Sequence, residues 1–172
     1  MHFSREEILE MVDYLVRKFR LQILKREFRR KGVNLYGDGS NLNIDDTVSF
    51  GGNVILYGTA DISIGPHTII GLNSILHTST HRFDTPLYNE CRIDRPIHIG
   101  KNVWIGANVT ILAGVVVEDN AIIGAGSVVT KNVRKNHVVA GVPAALIRTL
   151  SRSNLASYKE IQLKSYLDKW VC

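Results

Sequence analysis

The sequence predicts an all-β solenoid, a parallel β-helix of hexapeptides with a helix at each end and one extended loop that breaks its rhythm. Two observations carry this reading. From Ile99 to Arg134 the chain divides into the hexads IGKNVW, IGANVT, ILAGVV, VEDNAI, IGAGSV and VTKNVR. Their first positions are Ile99, Ile105, Ile111, Val117, Ile123 and Val129, and their fifth positions, Val103, Val109, Val115, Ala121, Ser127 and Val133, are all small. No helix repeats in sixes. Six residues are three strand alternations, so positions one, three and five are expected on one face, with turns recurring at a fixed phase. The second observation is that the frame recurs upstream. Ile64, Ile70 and Leu76 head one set, and Ile44, Phe50 and Leu56 head an earlier one offset by two residues. A β-sandwich would instead show irregular spacings of about eight to twelve residues.

Composition bounds the rest. A chain of 172 residues with 45% hydrophobic content suits one domain with a real core, and no apolar run is long enough for a membrane span. The start, MHFSREEILEMV, has no signal-peptide layout, and Cys91 and Cys172 form neither a disulfide framework nor a metal-ligand spacing, so the expected compartment is the cytoplasm. A net charge of +5 suits a polyphosphorylated ligand; no nucleic-acid motif accompanies it, and no nucleic-acid partner is expected.

Residues 1–32 make the first unit. Ser4 and Glu7 have capping-box spacing, Phe3 and Ile8 can staple around them, and Ile8, Val12, Leu15, Phe19 and Ile23 recur at helical spacing. A helix over 4–31 is therefore predicted, stopped by Gly32. Its other face is basic: Arg17, Lys18, Lys25, Arg26, Arg29, Arg30 and Lys31. The apolar stripe is expected to cap the open end of the solenoid or to meet a neighbouring subunit; the competing expectation is peripheral contact with an anionic membrane.

Residues 33–150 make the solenoid. The turn-rich segment 33–43 leads to a first coil headed by Ile44, and a bulged corner between Leu56 and Ile64 absorbs the two-residue offset. Residues 81–96, HRFDTPLYNECRIDRP, are polar and contain no hexad. They form an excursion, and loops of that length in a compact domain are usually functional or disordered. Two regular coils follow over 99–134, and VVAGVPAALIR closes the last. Residues 151–172 make the final unit, with a helix predicted over 153–171 and Leu155, Tyr158, Ile161, Leu167 and Trp170 as its buried contacts.

Four words resemble a known family: THRFDTP at Thr80–Pro86, IGKNVWIGANVTILAGV at Ile99–Val115, IGAGSVVTKNV at Ile123–Val133, and AGVPAALIR at Ala140–Arg148. They are similar to the hexapeptide-repeat acyltransferases, and most of all to the sugar O-acetyltransferases of the galactoside, maltose and polysaccharide-modifying type. The resemblance implies a left-handed coil, although the general rule for parallel crossovers favours the right hand. It also implies a homotrimer with sites between neighbours, acetyl-CoA as cosubstrate, and direct transfer to a saccharide acceptor. O-acetylation of a sugar hydroxyl in surface polysaccharide assembly is the leading expectation. Another acceptor, such as an antibiotic or an amino sugar, and a non-catalytic scaffold are the alternatives.

Acyl transfer to a hydroxyl needs a base within hydrogen-bond reach, and imidazole suits the task. His81 matches the family's catalytic histidine in THRFDTP, with His77 as runner-up and Asp84, Glu90 or a backbone carbonyl as the group that orients the ring. Cys91 has no adjacent histidine motif. A γ-class carbonic anhydrase shares the fold but needs three zinc-binding histidines, and no histidine lies between His2 and His67, so no metal site is expected. The basic group Lys131, Arg134, Lys135, Arg148 and Arg152 suits the phosphates of CoA. By resemblance, the positions along the CoA groove are Trp104, Gly106, Ala107, Ala125, Thr130, Lys131 and Arg148. The chain departs from its relatives at Ala107, where many have a small hydroxyl residue, and at Ala145, where a basic residue is usual. On the acceptor side it has Gly51 and Thr59 where galactoside-type relatives have Asn and Asp. Asn53, Tyr57 (as a ring to stack on a sugar), Arg82 and Asp84 are the acceptor-binding candidates, with Tyr88 and Asn89 near them in the loop.

Overall fold

The computed structural model of the chain describes residues 5–151 apart from 38, 40, 85 and 88–90. The helix expected over 153–171, Glu90 and the cap at Phe3 and Ser4 lie outside the described residues. Helix α1 (Arg5–Arg30) enters β1 (Val33–Tyr36), and the chain then turns through β2 (Leu42–Ile44), β3 (Ser49–Phe50), β4 (Val54–Tyr57), β5 (Ile62–Ile64), β6 (Ile69–Ile70) and β7 (Ile75–His77). An excursion follows, formed by the hairpin of β8 (Ser79–His81) and β9 (Arg92–Asp94). The solenoid resumes with β10 (Ile97–Ile99), β11 (Trp104–Ile105), β12 (Thr110–Ile111), β13 (Val116–Val117), β14 (Ile122–Ile123) and β15 (Val128–Val129), and ends in β16 (His137–Ala140) and β17 (Ala145–Thr149).

These short strands stack into three parallel sheets around a left-handed prism of about five coils. The first face runs β1-β4-β7-β12-β15, the second β2-β5-β10-β13, and the third β3-β6-β11-β14-β16-β17. In the regular region Ile99 pairs with Val117, Ile105 with Ile123 and Ile111 with Val129, a repeat of 18 residues. Below the excursion Ile44 pairs with Ile64, Phe50 with Ile70 and Leu56 with Leu76, a repeat of 20. The two extra residues sit at the corner 58–61, where the sequence offset places them.

The core is the stack of first- and fifth-position side chains. Ile99, Val103, Ile105, Val109, Ile111, Val115, Val117, Ala121, Ile123 and Val129 are all buried. The third position is not inside: Lys101 and Ala125 are exposed, and Ala107, Ala113 and Asp119 are half-buried. This corrects the simple alternation. At the fourth position Asn102, Asn108, Gly114, Asn120 and Gly126 all have φ between 54° and 84°, and this left-handed residue turns the corner before the alternation can bring position three inward. The fourth-position Asn/Gly column was visible in the hexads as a turn signal.

Three further expectations need correction. Residues 33–36 are a strand of the first face, and Val33 is buried. The segment after Ala140 does not close a coil; it folds back as an antiparallel hairpin of β17 on β16. The apolar stripe of α1 does not cap this chain's own core. Among the described side chains of the helix, Phe28 near its end does so: it is buried and meets Phe50 edge-on at 6.2 Å. Leu9, Val12, Leu15, Val16 and Phe19 stay exposed, Phe19 at 66%. The reason is phase. At 100° per residue Val12, Leu15 and Phe19 fall on one flank, whereas Phe28 lies on the opposite one.

Candidate active site

The excursion leaves the corner between the first and second faces and is pinned to it. The Thr78 hydroxyl, fully buried, donates to Tyr57 O at 2.8 Å and accepts from the backbone N–H groups of Thr59 (3.0 Å) and Ala60 (3.2 Å). Thr59 Oγ1 donates to Asp94 Oδ1 at 2.7 Å, and the Arg92 guanidinium donates to Asp94 Oδ2 at 2.9 Å. The Thr59 hydroxyl, with smaller help from Ser79 and Arg92, holds the Asp94 carboxyl below the usual carboxylate range. Further on, the stem of Arg95 packs over Gly114 on the next coil. The two-residue insertion at 58–61 thus supplies the groups to which the loop's return strand is tied.

His81 ends β8, paired with Arg92, and is exposed. Arg82 and Asp84 are brought together in a two-pronged ion pair at 2.8 and 2.5 Å, which lowers the Asp84 carboxyl and raises Arg82. Asp84 is therefore committed to Arg82. The imidazole of His77 is anchored to a backbone carbonyl, its Nδ1 lying 2.7 Å from Ser79 O. His77 also stacks on Tyr57, ring centroids 4.4 Å apart, and Tyr57 stacks on Tyr36 at 6.1 Å. Both faces of Tyr57 are covered, so it is not the free ring platform expected of it. Tyr36 is the exposed member of the column.

Asn53 falls elsewhere, on the corner between the third and first faces. Its amide accepts from Asn34 of β1 and donates to Asn73, each at 3.0 Å, and Asn53 and Asn73 are both left-handed corner residues. Its side chain is used within the scaffold.

The deciding comparison is with the galactoside O-acetyltransferase of Escherichia coli, 33% identical over 159 residues that cover 85% of this chain and 76% of that protein. The chain belongs to the hexapeptide-repeat acetyltransferases. The family model for the bacterial transferase hexapeptide (six repeats) matches residues 96–131. A putative colanic acid biosynthesis acetyltransferase, WcaF of Escherichia coli, is 33% identical over 135 residues, 78% of this chain and 72% of that one. Among solved structures, the hexapeptide-repeat acetyltransferase VCA0836 of Vibrio cholerae O1 biovar eltor, complexed with acetyl coenzyme A, superposes with a TM-score of 0.65 at 26% identity, covering 87% of this chain and 93% of that one.

In this acetyltransferase the residues expected along the CoA groove fall into two groups. Thr130 and Lys131 lie on the corner between first and second faces, on the same edge as the excursion. Gly106, Ala107 and Ala125 lie on the corner between third and first faces, and Trp104 projects from the third face, 55% exposed, in register with Ile69 and Ile122. Arg148 stands on β17 at the end of that same face. The width of the first face separates the groups within one chain. Gly106 has a structural reason of its own: a Cβ there would meet Ala125 N at 2.6 Å. Thr59, Thr78 and Asp94 carried no motif. The Tyr36–Tyr57–His77 column did leave a trace, since its members are spaced by about one coil.

Proposed function

We propose that the chain transfers an acetyl group from acetyl-CoA to a saccharide hydroxyl, with His81 as general base. The observation that carries this is the pinned hairpin, which presents His81 at a fixed solenoid corner in a family of acetyltransferases. His81 takes the acceptor's hydroxyl proton as the oxygen attacks the thioester carbonyl. The tetrahedral adduct collapses, the C–S bond breaks, and the imidazolium returns the proton to the departing thiolate. The acetyl-CoA bound in VCA0836 and the WcaF likeness support the cosubstrate and a role in polysaccharide modification.

The separated groove residues support a homotrimer. Thr130 and Lys131 of one subunit, on the same edge as its excursion, face Trp104, Gly106, Ala107, Ala125 and Arg148 of the next, with Lys131 and Arg148 on the phosphates. Arg82 stays close to the acceptor, and Asp84 orients Arg82. The exposed flank of α1 fits a neighbouring subunit better than lipid, because Glu6, Glu7, Glu10 and Asp13 share its first half and an anionic surface repels them.

Thiol release from acetyl-CoA, followed against a panel of sugars and sugar derivatives in parent and His81→Ala proteins, tests this. Acceptor-dependent release that disappears in the variant is expected. Release by the variant at the parental rate overturns the assignment of the base, and a monomer in sedimentation overturns the shared groove.

A further inference from the structure

At the helix end of the solenoid a cavity of about 330 Å³ opens between α1 and β1, lined by Lys25, Arg29, Asn34 and Tyr36 among others. Three observations single it out. The first is charge. Lys25, Arg26, Arg29, Arg30 and Lys31 crowd the end of α1 with only Glu27 among them. The helix dipole accounts for Arg29 and Arg30 in the last turn; Lys25 and Arg26 stand a turn earlier and Lys31 just past the helix. The ion pairs seen among the described residues, Arg82–Asp84, Arg92–Asp94 and Lys101–Asp119, are all elsewhere. The second is shelter: Lys25 is half-buried, so part of its hydration is already lost. The third is position. Tyr36 lines the cavity and begins the column that passes through Tyr57 to His77, and from His77 the chain runs through Ser79 into the strand that ends in His81. Two strand spacings, about 10 Å, separate Tyr36 from His77. The column thus leads from the cavity towards the strand that ends in His81.

We infer that this cavity takes the phosphate or diphosphate of the acceptor, so that the enzyme's acceptors are glycosyl phosphates rather than neutral saccharides. The guanidinium of Arg29 and the ammonium of Lys25 bind the phosphate oxygens, and Tyr36 lies against the adjoining sugar. A soluble sugar nucleotide and a lipid-anchored glycosyl diphosphate share this group. The inference rests on the acyl-transfer reading for the identity of the ligand, but phosphate binding can be measured without turnover.

The test is calorimetric titration of the full chain with inorganic pyrophosphate, UDP-glucose, glucosyl prenyl diphosphate of short chain length, glucose and acetyl-CoA, in parent and Lys25→Ala/Arg29→Ala proteins. Pyrophosphate and at least one glycosyl diphosphate are expected to bind the parent and to weaken by about tenfold or more in the variant, while acetyl-CoA affinity stays within about twofold. The tighter of the two glycosyl diphosphates identifies the soluble or the lipid-linked source. In thiol-release assays with that acceptor, its KM rises about tenfold in the variant and kcat holds. Arg29→Lys retains part of the affinity. Pyrophosphate bound equally by both proteins, or by neither, overturns the site. Weakened pyrophosphate binding with an unchanged acceptor KM overturns its assignment to the acceptor. Intact pyrophosphate behaviour with no turnover on any acceptor counts against the acyl-transfer reading and leaves the cavity as a phosphate site.

Discussion

Two corners of the prism behave in opposite ways. The corner between second and third faces keeps the same form in the upper coils. Asn102, Asn120 and Asn136 each adopt a left-handed φ, and their amides form a ladder at 2.8 and 3.1 Å. The corner between first and second faces changes from coil to coil. It spans 58–61 below the excursion, opens into the β8–β9 hairpin, and shrinks again at 112–115. The uniform corner needs only a residue that tolerates positive φ and a side chain that bonds its own copy one coil away. The variable corner carries the histidine, the Asp94 clamp and the aromatic column. Periodicity builds the scaffold, and the proposed chemistry sits where periodicity is broken.

The largest effect that can test this contrast is in the regular coils. Ile123→Asp places an unpaired charge in a sealed column and should cost more than about 4 kcal/mol, enough to abolish folding in thermal melts. A variant melting like the parent would contradict the inward position of Ile123. Next comes His81→Ala at the irregular corner, expected to lower kcat by about 10²- to 10⁴-fold with the melting temperature unchanged. Loss of stability instead would make His81 part of the scaffold.

A smaller effect is expected for Thr59→Val, which removes a hydroxyl from the Asp94 clamp without touching the core. About a tenfold fall in kcat/KM, with an unchanged melt, would show that the clamp holds the hairpin in place. On the uniform corner, Asn120→Ala should cost about 1–2 kcal/mol through backbone strain and the broken ladder, and leave activity per folded molecule intact. Asn120→Gly relieves the strain and should cost less.

The mildest perturbation is pH. The folded Asp94 carboxyl lies below its ordinary range, so its contribution is complete above that range and is lost as the pH falls from there through the lowered value. Amide exchange in the β8–β9 hairpin should therefore stay slow from neutrality into mild acid and accelerate only in strong acid. Acceleration near neutral pH would exclude Asp94 as the anchor.

The sequence by itself determined the coil. Aliphatic first positions, small fifth positions and Asn or Gly at the fourth recur every six residues, and each is a local demand of the same repeated strand and turn. It also showed that the frame breaks before Ile97, where the structure has the β8–β9 hairpin from Ser79 to Asp94, and the family words nominate His81 in it as the base. Tertiary structure alone decided what crosses between coils. Thr59 and Asp94 are 35 residues apart and meet only because the excursion returns to the corner it left. Tyr57 looks like an open ring until Tyr36 and His77 are stacked above and below it. The stripe on α1 reads as a cap until the helix is oriented, when Phe28 turns inward while Leu9, Val12, Leu15, Val16 and Phe19 stay exposed. In each case the deciding contact joins residues that no local period relates, because a solenoid makes neighbours of residues one coil apart and a loop makes neighbours at any distance.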